Sequence, residues 1–261
     1  MCWNLNTNRD GIMILSKRTI EILRCCSSIN PSIVIKKGST IKTISLKKDI
    51  LFEGYIDEKF SMNFGIVDLK KFICFYNKMN NPNIEMVGYE DNVNEGIAEK
   101  LVFRNGNKEF PTCELSMVEQ PPERGLTFPK TLGSLFFSKD KIKSIQSLKK
   151  PTWYKDFVIY GCRDSNCIYG QPSCHNDSFL TEKIKIEDNL ENDNLFLEKP
   201  ERKLNFNNNF YKLITADYEV EFGNGIAKFE TTDGDLKYWI ALENSSVYAM
   251  NEELSKTHNP L

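Results

Sequence analysis

The one compact cluster of residues that could bind a metal or activate a nucleophile lies between positions 162 and 175. It contains Cys162, Cys167, Cys174 and His175. Zinc sites use such ligands, but their paired cysteines are usually separated by only about two to four residues. Here the cysteines are separated by four and six residues. The spacing therefore favours a polar hairpin with incidental thiols, and a small zinc-dependent enzyme remains the alternative.

Other patterns that carry catalysis are missing from the sequence. The chain has 2 histidines, and His258 is the fourth residue from the C-terminus, so a Ser/His/Asp or Cys/His triad would need His175. The sequence contains no phosphate-binding loop, and Gly223-Asn224-Gly225 is typical of a turn between strands. We therefore predict no catalytic residue, no metal or other cofactor, and no enzymatic activity.

Composition places the chain among ordinary globular proteins. Its 261 residues are 40% hydrophobic and 27% charged, and the formal net charge is −2. No stretch reaches the roughly 18 apolar residues of a membrane span, and the polar start gives no sign of a secretion signal. The 8 cysteines are expected to be reduced thiols in a cytosolic protein.

Short strands separated by turn residues dominate the pattern and indicate an α+β protein rich in antiparallel sheet. Four prolines mark the segment 110–131 as a stiffened linker. We predict an N-terminal extension at 1–12, one domain at 13–109, a second at 132–251 and a tail at 252–261. Examples of the predicted strands are Ser32–Lys36, Ser39–Leu46, Ile50–Ile56, Ile84–Val87, Lys100–Phe103, Phe157–Tyr160, Glu182–Ile186, Asp217–Phe222, Ile226–Thr231 and Leu236–Leu242.

Four segments show the 3.6-residue periodicity of amphipathic helices. They are Ser16–Ser28, Val67–Met79, Ser138–Lys150 and Asn207–Thr215. Each has one apolar face and carries Lys or Arg on the opposite face, whereas acids concentrate elsewhere, notably between Glu182 and Glu201. A surface made of those four helix faces would be positive, while the rest of the protein would be negative.

The sequence also contains a weak internal repeat. Leu15-Ser16-Lys17 parallels Phe137-Ser138-Lys139 at an offset of 122 residues, and each motif precedes a helix, a proline and a strand. Asn63-Phe64 and Asn205-Phe206 form a second matching pair. The repeat predicts two similar domains.

These pieces, in this order, resemble the sliding clamps of T-even-type bacteriophages, which are DNA polymerase processivity factors related in fold to proliferating cell nuclear antigen. The similarity extends from about Met13 to Met250. It rests on Leu15-Ser16-Lys17, Asp68-Leu69-x-x-Phe72, Phe110-Pro111 with Phe128-Pro129, Ala227-Lys228-Phe229-Glu230 and Tyr238-Trp239-Ile240-Ala241-Leu242.

The resemblance implies the DNA clamp fold: two similar domains, each with two helices packed on antiparallel β-sheet, assembled as a homotrimeric ring whose helices line the hole. It further implies non-sequence-specific contacts with double-stranded DNA and a role in tethering a replicative DNA polymerase in the cytoplasm of an infected bacterial host. The expected DNA-facing residues are Lys17, Arg24, Lys70, Lys71, Lys78, Lys139, Lys143, Lys150 and Lys212.

The same resemblance implies further partners. An ATP-driven clamp loader would open the ring, and phage late transcription factors are a second class of partner; no membrane is involved. Clamp partners insert short hydrophobic peptides near the linker, and the candidate contact residues here are Leu115, Met117, Val118, Tyr248 and Met250.

Two alternatives change the class of protein. A monomeric processivity factor with the same domains could hold DNA by charge without a ring. A phage structural protein could use β-rich repeats for assembly, although such a protein has no reason to place lysines on every helix.

Overall fold

The computed structural model describes residues 12–91, 94–104, 106–123, 126–148, 156–173, 183–187 and 203–243. The chain divides into two compact units, and the boundary follows Glu123, inside the segment 110–131. That segment is partly structured, since it contains the end of a strand and a short 3-10 helix. Within the described residues, no helix combines the length and the apolar character that crossing a bilayer requires.

Unit 1 contains two α-helices, eight strands and a 3-10 helix among its described residues. Its sheets are antiparallel and have the strand orders β1-β6-β7-β8, β2-β5 and β3-β4. The elements are β1 (Ile12–Met13), α1 (Lys17–Ile29), β2 (Ile33–Ile35), β3 (Gly38–Ile44), β4 (Ile50–Phe60), β5 (Phe64–Ile66), α2 (Leu69–Lys78), β6 (Ile84–Asp91), β7 (Asn94–Phe103), β8 (Lys108–Pro111) and η1 (Leu115–Met117).

Unit 2 contains one α-helix, two 3-10 helices and eight strands among its described residues. Its strands pair in the orders β12-β11-β10-β13 and β9-β14-β15-β16, again antiparallel. The elements are β9 (Gly133–Phe137), α3 (Lys139–Ser147), β10 (Asp156–Cys162), η2 (Arg163–Ser165), β11 (Cys167–Ser173), β12 (Ile184–Glu187), β13 (Lys203–Phe206), η3 (Asn208–Lys212), β14 (Tyr218–Gly223), β15 (Ile226–Thr231) and β16 (Leu236–Ala241).

All ten predicted strands are present, with ends that differ by a few residues. Six further strands, which are short or carry no clear alternation, are not among those examples: β1, β5, β8, β9, β11 and β13. Ile12 was predicted to lie in the N-terminal extension, but it pairs with Glu85 of β6. The remaining extension, residues 1–11, and the tail lie outside the described residues.

Helix α1 begins where its sequence signals a start. The Ser16 hydroxyl accepts a hydrogen bond from the backbone N–H of Thr19 at 3.1 Å, which satisfies one of the free donors of the first turn. Thr19, Ile22, Leu23 and Cys26, the predicted apolar side, are all buried.

Helix α2 begins in the same way, since the Asp68 carboxylate accepts a hydrogen bond from the N–H of Lys71 at 2.8 Å. Its buried face is Leu69, Phe72, Ile73 and Tyr76. The Phe72 ring packs edge-on against Phe110 of β8, with 5.3 Å between ring centroids. Burying each such side chain contributes about 1.5–3 kcal/mol, so packing on the sheet fixes which face of α2 remains outside.

The fourth predicted helix is wrong in type, because residues 208–212 form the 3-10 helix η3 instead of an α-helix. The Asn207 side chain accepts a hydrogen bond from the N–H of Asn209 at 2.9 Å, and such local bonding competes with α-helical pairing. Aromatic packing then holds the segment, since Phe210 stacks on Phe157 at 4.5 Å. The described part of unit 2 therefore has one α-helix, where the sequence predicted two.

The internal repeat corresponds to equivalent structural positions. Ser138 caps α3 through the N–H of Lys141, as Ser16 caps α1. Ile35 pairs with Phe64 in unit 1, and Phe157 pairs with Phe206 in unit 2. Ile35 and Phe157 are separated by the same 122 residues as the two capping serines.

A buried tyrosine fixes the entry to α1. The Tyr76 hydroxyl accepts a hydrogen bond from the N–H of Leu15 at 3.0 Å and donates one to the Leu15 carbonyl at 3.2 Å. Burial is the main cause that raises the Tyr76 pKa above its ordinary value. The neutral phenol therefore links the start of α1 to the buried face of α2 through hydrogen bonds.

We predict that Tyr76→Phe destabilises the protein by about 1–3 kcal/mol, because it leaves the buried N–H and carbonyl of Leu15 without this partner. Urea unfolding followed by circular dichroism measures the change. Tyr55→Phe is the matched control, since Tyr55 is 43% exposed and should shift stability by no more than about 0.5 kcal/mol. Equal unfolding midpoints for the two variants would contradict the assignment.

Candidate nucleic-acid interface

The outer faces of α1 and α2 line one open groove in unit 1, which we call the basic groove. Its volume is about 450 Å³. The residues that line it are Arg24, Ser27, Lys70, Ile73, Cys74, Asn77 and Lys78. None of these is a carboxylate or a histidine, so the groove offers positive charge and hydrogen-bond donors but no acid–base pair.

Helical periodicity places these cations on the outside. On α2, Lys70, Cys74 and Lys78 follow one another at intervals of four residues and are all exposed. Lys71 lies beside this row and is exposed too. On α1, Lys17 and Arg24 are seven residues apart and share the exposed face, because the opposite face is buried.

Most of the expected DNA-facing cations have no carboxylate partner among the described residues. The one ion pair found there on the outer side of α1 joins Arg18 and Glu21, at 3.6 Å. No ion pair within the described part of the chain involves the following seven residues: Lys17, Arg24, Lys70, Lys71, Lys78, Lys139 and Lys143.

Cations on the strands and loops behave differently, because many of them are paired with carboxylates. The pairs are Lys36–Glu123, Lys42–Glu53, Lys48–Glu119, Lys100–Glu109, Arg104–Glu85, Lys228–Glu221, Lys228–Glu230 and Lys237–Glu230. Each exposed pair adds little stability, but it cancels local charge. The cations in these pairs are therefore neutralised locally, whereas the seven helix cations have no such partner within the described residues.

Glu230 of β15 pairs with two lysines at once. Burial raises the pKa of its carboxyl, but hydrogen bonds and charge from Lys228 and Lys237 outweigh that cost and lower the pKa overall. The two lysines lie on β15 and β16, and their nitrogens are 2.5 Å and 2.9 Å from the Glu230 oxygens. These two strand lysines are paired with a carboxylate of the same sheet and are therefore not available to bind a polyanion.

The described part of unit 2 presents a smaller basic face. Lys139 and Lys143 of α3 are exposed, and the backbone N–H of Lys139 donates to the Asp217 carboxylate at 2.6 Å. Asp140, which is exposed in the first turn of α3, adds an acid to this end of the helix. Lys212 is half-buried at the end of η3.

One further feature limits the face of α3. Gln146 is engaged with the segment after η3, since it donates to the Leu213 carbonyl at 2.6 Å and accepts from the Thr215 hydroxyl at 2.9 Å. Lys150 lies outside the described residues.

Sequence reasoning missed Glu58, which acts at the start of α1. Its carboxylate accepts hydrogen bonds from the N–H of Ser16 and from the Thr19 hydroxyl, and negative charge at this end complements the helix dipole. Glu58 is on β4, 42 residues from Ser16 in sequence, so no local pattern could have revealed it.

The candidate partner-binding residues divide by exposure. Met117 is 68% exposed in η1, Leu115 is half-buried, and Val118 is only 4% exposed. Tyr248 and Met250 lie outside the described residues. Among the three described members of the set, Met117 offers the largest apolar surface, whereas Val118 contributes to the core.

A cavity of about 300 Å³ adjoins the same segment, and no sequence pattern indicated it. It lies in unit 1, where the end of β2 and the start of β3 meet the residues Gln120, Pro121, Pro122 and Glu123. Its other lining residues are Val34, Lys36, Lys37, Gly38, Ser39, Thr40 and Lys42. In the sequence, the two prolines indicated only that this segment is stiff, and they did not indicate a cavity.

The cysteine cluster is only partly described. Cys162 and Cys167 lie opposite each other in the β10–β11 hairpin and are free thiols, whereas Cys174 and His175 lie outside the described residues. Within the described ranges, no group of three or more His, Cys, Asp or Glu side chains is arranged to hold a metal ion.

Solved structures with the same architecture are DNA clamps. The beta clamp of H. pylori, solved with 5-chloroisatin, matches with a TM-score of 0.54 and 13% identity, over 92% of this chain and 65% of that one. A PCNA2–PCNA3 complex from Sulfolobus tokodaii matches with a TM-score of 0.54 and 15% identity, over 90% of this chain and 99% of that chain. The protein therefore has the DNA clamp fold.

Similarity in sequence is more specific than the similarity in fold, but it covers a shorter part of the chain. The sliding clamp of Vibrio phage KVP40 is 33% identical over 112 residues, which are 42% of this chain and 50% of the phage protein. This match confirms the resemblance to phage sliding clamps, although the chain spans only half the length of that relative. No protein-family model matches the chain.

Proposed function

We propose that this protein is a sliding clamp, which encircles duplex DNA and tethers a replicative DNA polymerase for processive synthesis. The observation that carries the proposal is the separation of charge. Within the described residues, seven cations on the outer helix faces have no carboxylate partner, whereas many strand cations are paired. The resemblance to a phage sliding clamp and the clamp fold support the same function.

The proposed DNA contacts are with phosphates. Lysine and arginine side chains on solvated helix faces supply mobile positive charge, and their attraction to phosphate is sequence-independent and weakened by salt. Such contacts allow a ring to move along the duplex, because no single one is strong. Lys17, Arg24, Lys70, Lys71, Lys78, Lys139 and Lys143 are the described residues proposed for this role, together with Lys150 and Lys212.

Assembly into a ring is supported by two sheet edges. In the described sheets, β8 ends one sheet of unit 1 and β12 ends one sheet of unit 2. An edge strand presents unpaired backbone groups that can pair with another chain. Pairing β8 of one copy with β12 of the next would be a head-to-tail contact, which closes into a ring when the rotation allows it. The proposed number of subunits, three, comes from the resemblance.

The remaining parts of the proposal concern partners. The polymerase, an ATP-driven clamp loader and phage late transcription factors would bind from solution in the cytoplasm of an infected host. We propose that Leu115 and Met117, near the cavity beside Gln120–Glu123, contribute to the docking of a hydrophobic peptide from such partners. We also propose that Tyr248, Met250 and Val118 contribute to this docking. For the buried Val118, this requires that the segment around η1 rearranges. The chain itself would perform no catalysis.

The first prediction tests the DNA-facing residues. Lys70→Glu/Lys71→Glu/Lys143→Glu should reduce polymerase stimulation strongly. It should also lower the slope of log affinity for duplex DNA against log salt, by about 0.9 for each phosphate that the protein no longer neutralises. A fluorescent duplex titrated at increasing NaCl concentrations measures the slope.

The matched control is Lys47→Glu/Lys59→Glu/Lys130→Glu, which changes net charge equally at exposed positions outside the helices. It should retain most of the stimulation and the salt slope. Equal decreases in the two triple variants would mean that bulk charge, and not the helix faces, binds the DNA.

The second prediction concerns assembly. Light scattering behind a sizing column, at moderate salt and several concentrations, should give a mass near three times 30.2 kDa. A mass of 30.2 kDa at every concentration would contradict the ring in solution and favour the monomer that holds DNA by charge.

The third prediction separates partner docking from DNA binding. Met117→Asp should reduce polymerase stimulation and leave the salt slope for duplex DNA unchanged. Leu46→Asp is the control, because Leu46 is also 68% exposed but lies at the β3–β4 turn. Unchanged stimulation in Met117→Asp, or an equal decrease in Leu46→Asp, would remove η1 from the docking surface.

A further inference from the structure

Two cysteines lie directly opposite each other at the end of the β10–β11 hairpin. The register pairs Cys162 with Cys167, next to the pairs Gly161–Ile168 and Tyr160–Tyr169. The connection between them is the short 3-10 helix η2 followed by Asn166, whose φ of 49° lets the chain turn back. We call this unit the dithiol hairpin.

Backbone pairing places the Cα atoms of the two cysteines at a separation that disulfides can span. Directly opposed residues in antiparallel strands have Cα atoms about 4.5–5.5 Å apart, and disulfides need about 4.4–6.8 Å. The pair Gly161–Ile168 is buried, so alternation directs Cys162 and Cys167 to the other face, with Tyr160 and Tyr169. The register of the strands is therefore compatible with a bond between the two sulfurs.

The two thiols differ in chemical character. Hydrogen bonds from Ser165, its side chain first and its backbone second, lower the pKa of Cys162. Cys167 is buried, and its Sγ donates to the Ser165 carbonyl at 3.0 Å. Since the thiolate is the reactive form, Cys162 suits the first step of an oxidation, and Cys167 suits the second.

A lysine lies beside the same surface. The Nζ atom of Lys183 is 5.7 Å from the centre of the Tyr160 ring. Tyr160 is the main cause that raises the Lys183 pKa, and the charge of Cys162 contributes to it.

We propose that the dithiol hairpin is an oxidation site, at which a peroxide converts Cys162 and Cys167 to an intramolecular disulfide. The Cys162 thiolate attacks one peroxide oxygen and becomes a sulfenic acid, while the second oxygen leaves as hydroxide and takes a proton to form water. The Cys167 sulfur then attacks the Cys162 sulfur, the S–S bond forms, and the sulfenic oxygen leaves with the thiol proton as a second water. Two thiols are oxidised and one peroxide is reduced.

The test is peptide mapping after oxidation of the intact protein. Reduced protein is treated with hydrogen peroxide, remaining thiols are alkylated, and peptides are analysed by mass spectrometry without reduction. The expected result is a Cys162–Cys167 cross-link that forms at lower peroxide than any oxidation of the exposed Cys74 and that dithiothreitol reverses. Oxidation of Cys74 with no Cys162–Cys167 cross-link would overturn the proposal.

Two single variants keep the order of steps testable. Cys167→Ser should accumulate a sulfenic acid at Cys162 that dimedone traps, because the second thiol is missing. Cys162→Ser should leave Cys167 reduced at the same peroxide concentration, since Cys167 is buried. Faster oxidation of Cys167 in that variant than of Cys162 in the other would contradict the assigned order. This proposal does not depend on the proposed function.

Discussion

Burial of one apolar helix face against antiparallel sheet is the interaction on which the rest of the structure depends. Leu23 of α1, Phe72 of α2 and Ile142 of α3 are all buried. Once those faces are fixed, helical periodicity exposes the opposite side chains, which are mainly lysine, arginine and small polar residues. The basic groove is therefore a consequence of core packing, and its cations need no specific contacts of their own.

The second constraint is electrostatic. Several cations on the sheets pair with carboxylates on neighbouring strands, as Lys237 and Lys228 do at Glu230. The cations of α2 are held apart from acids because this helix contains no acid between Leu69 and Lys78. A chain with a net charge of −2 can therefore carry one strongly positive surface, and its overall charge gives no hint of it.

Much of the fold and of the basic faces could be predicted from the sequence, because local patterns determine both. Capping residues such as Ser16 and apolar periodicity in α2 place the helices, and the order of matching pieces identifies the architecture. Prediction from the sequence failed where contacts between residues far apart in the chain determine the local structure. Glu58 reaches α1 from β4, and η3 adopts 3-10 geometry because Asn207 bonds locally while Phe210 packs on Phe157. The short strands β5 and β8 are likewise defined by their partners.

The central claim, that the protein encloses the duplex, is tested most directly by a threading experiment that needs no loader. Concentrated protein is mixed with linear duplex, the DNA ends are then blocked with a bulky bound protein, and retention is measured after a rise in salt. A ring around the duplex should be retained on end-blocked DNA and released from DNA with open ends, because salt weakens phosphate contacts but not a topological link. Equal, salt-dependent release from both would contradict it.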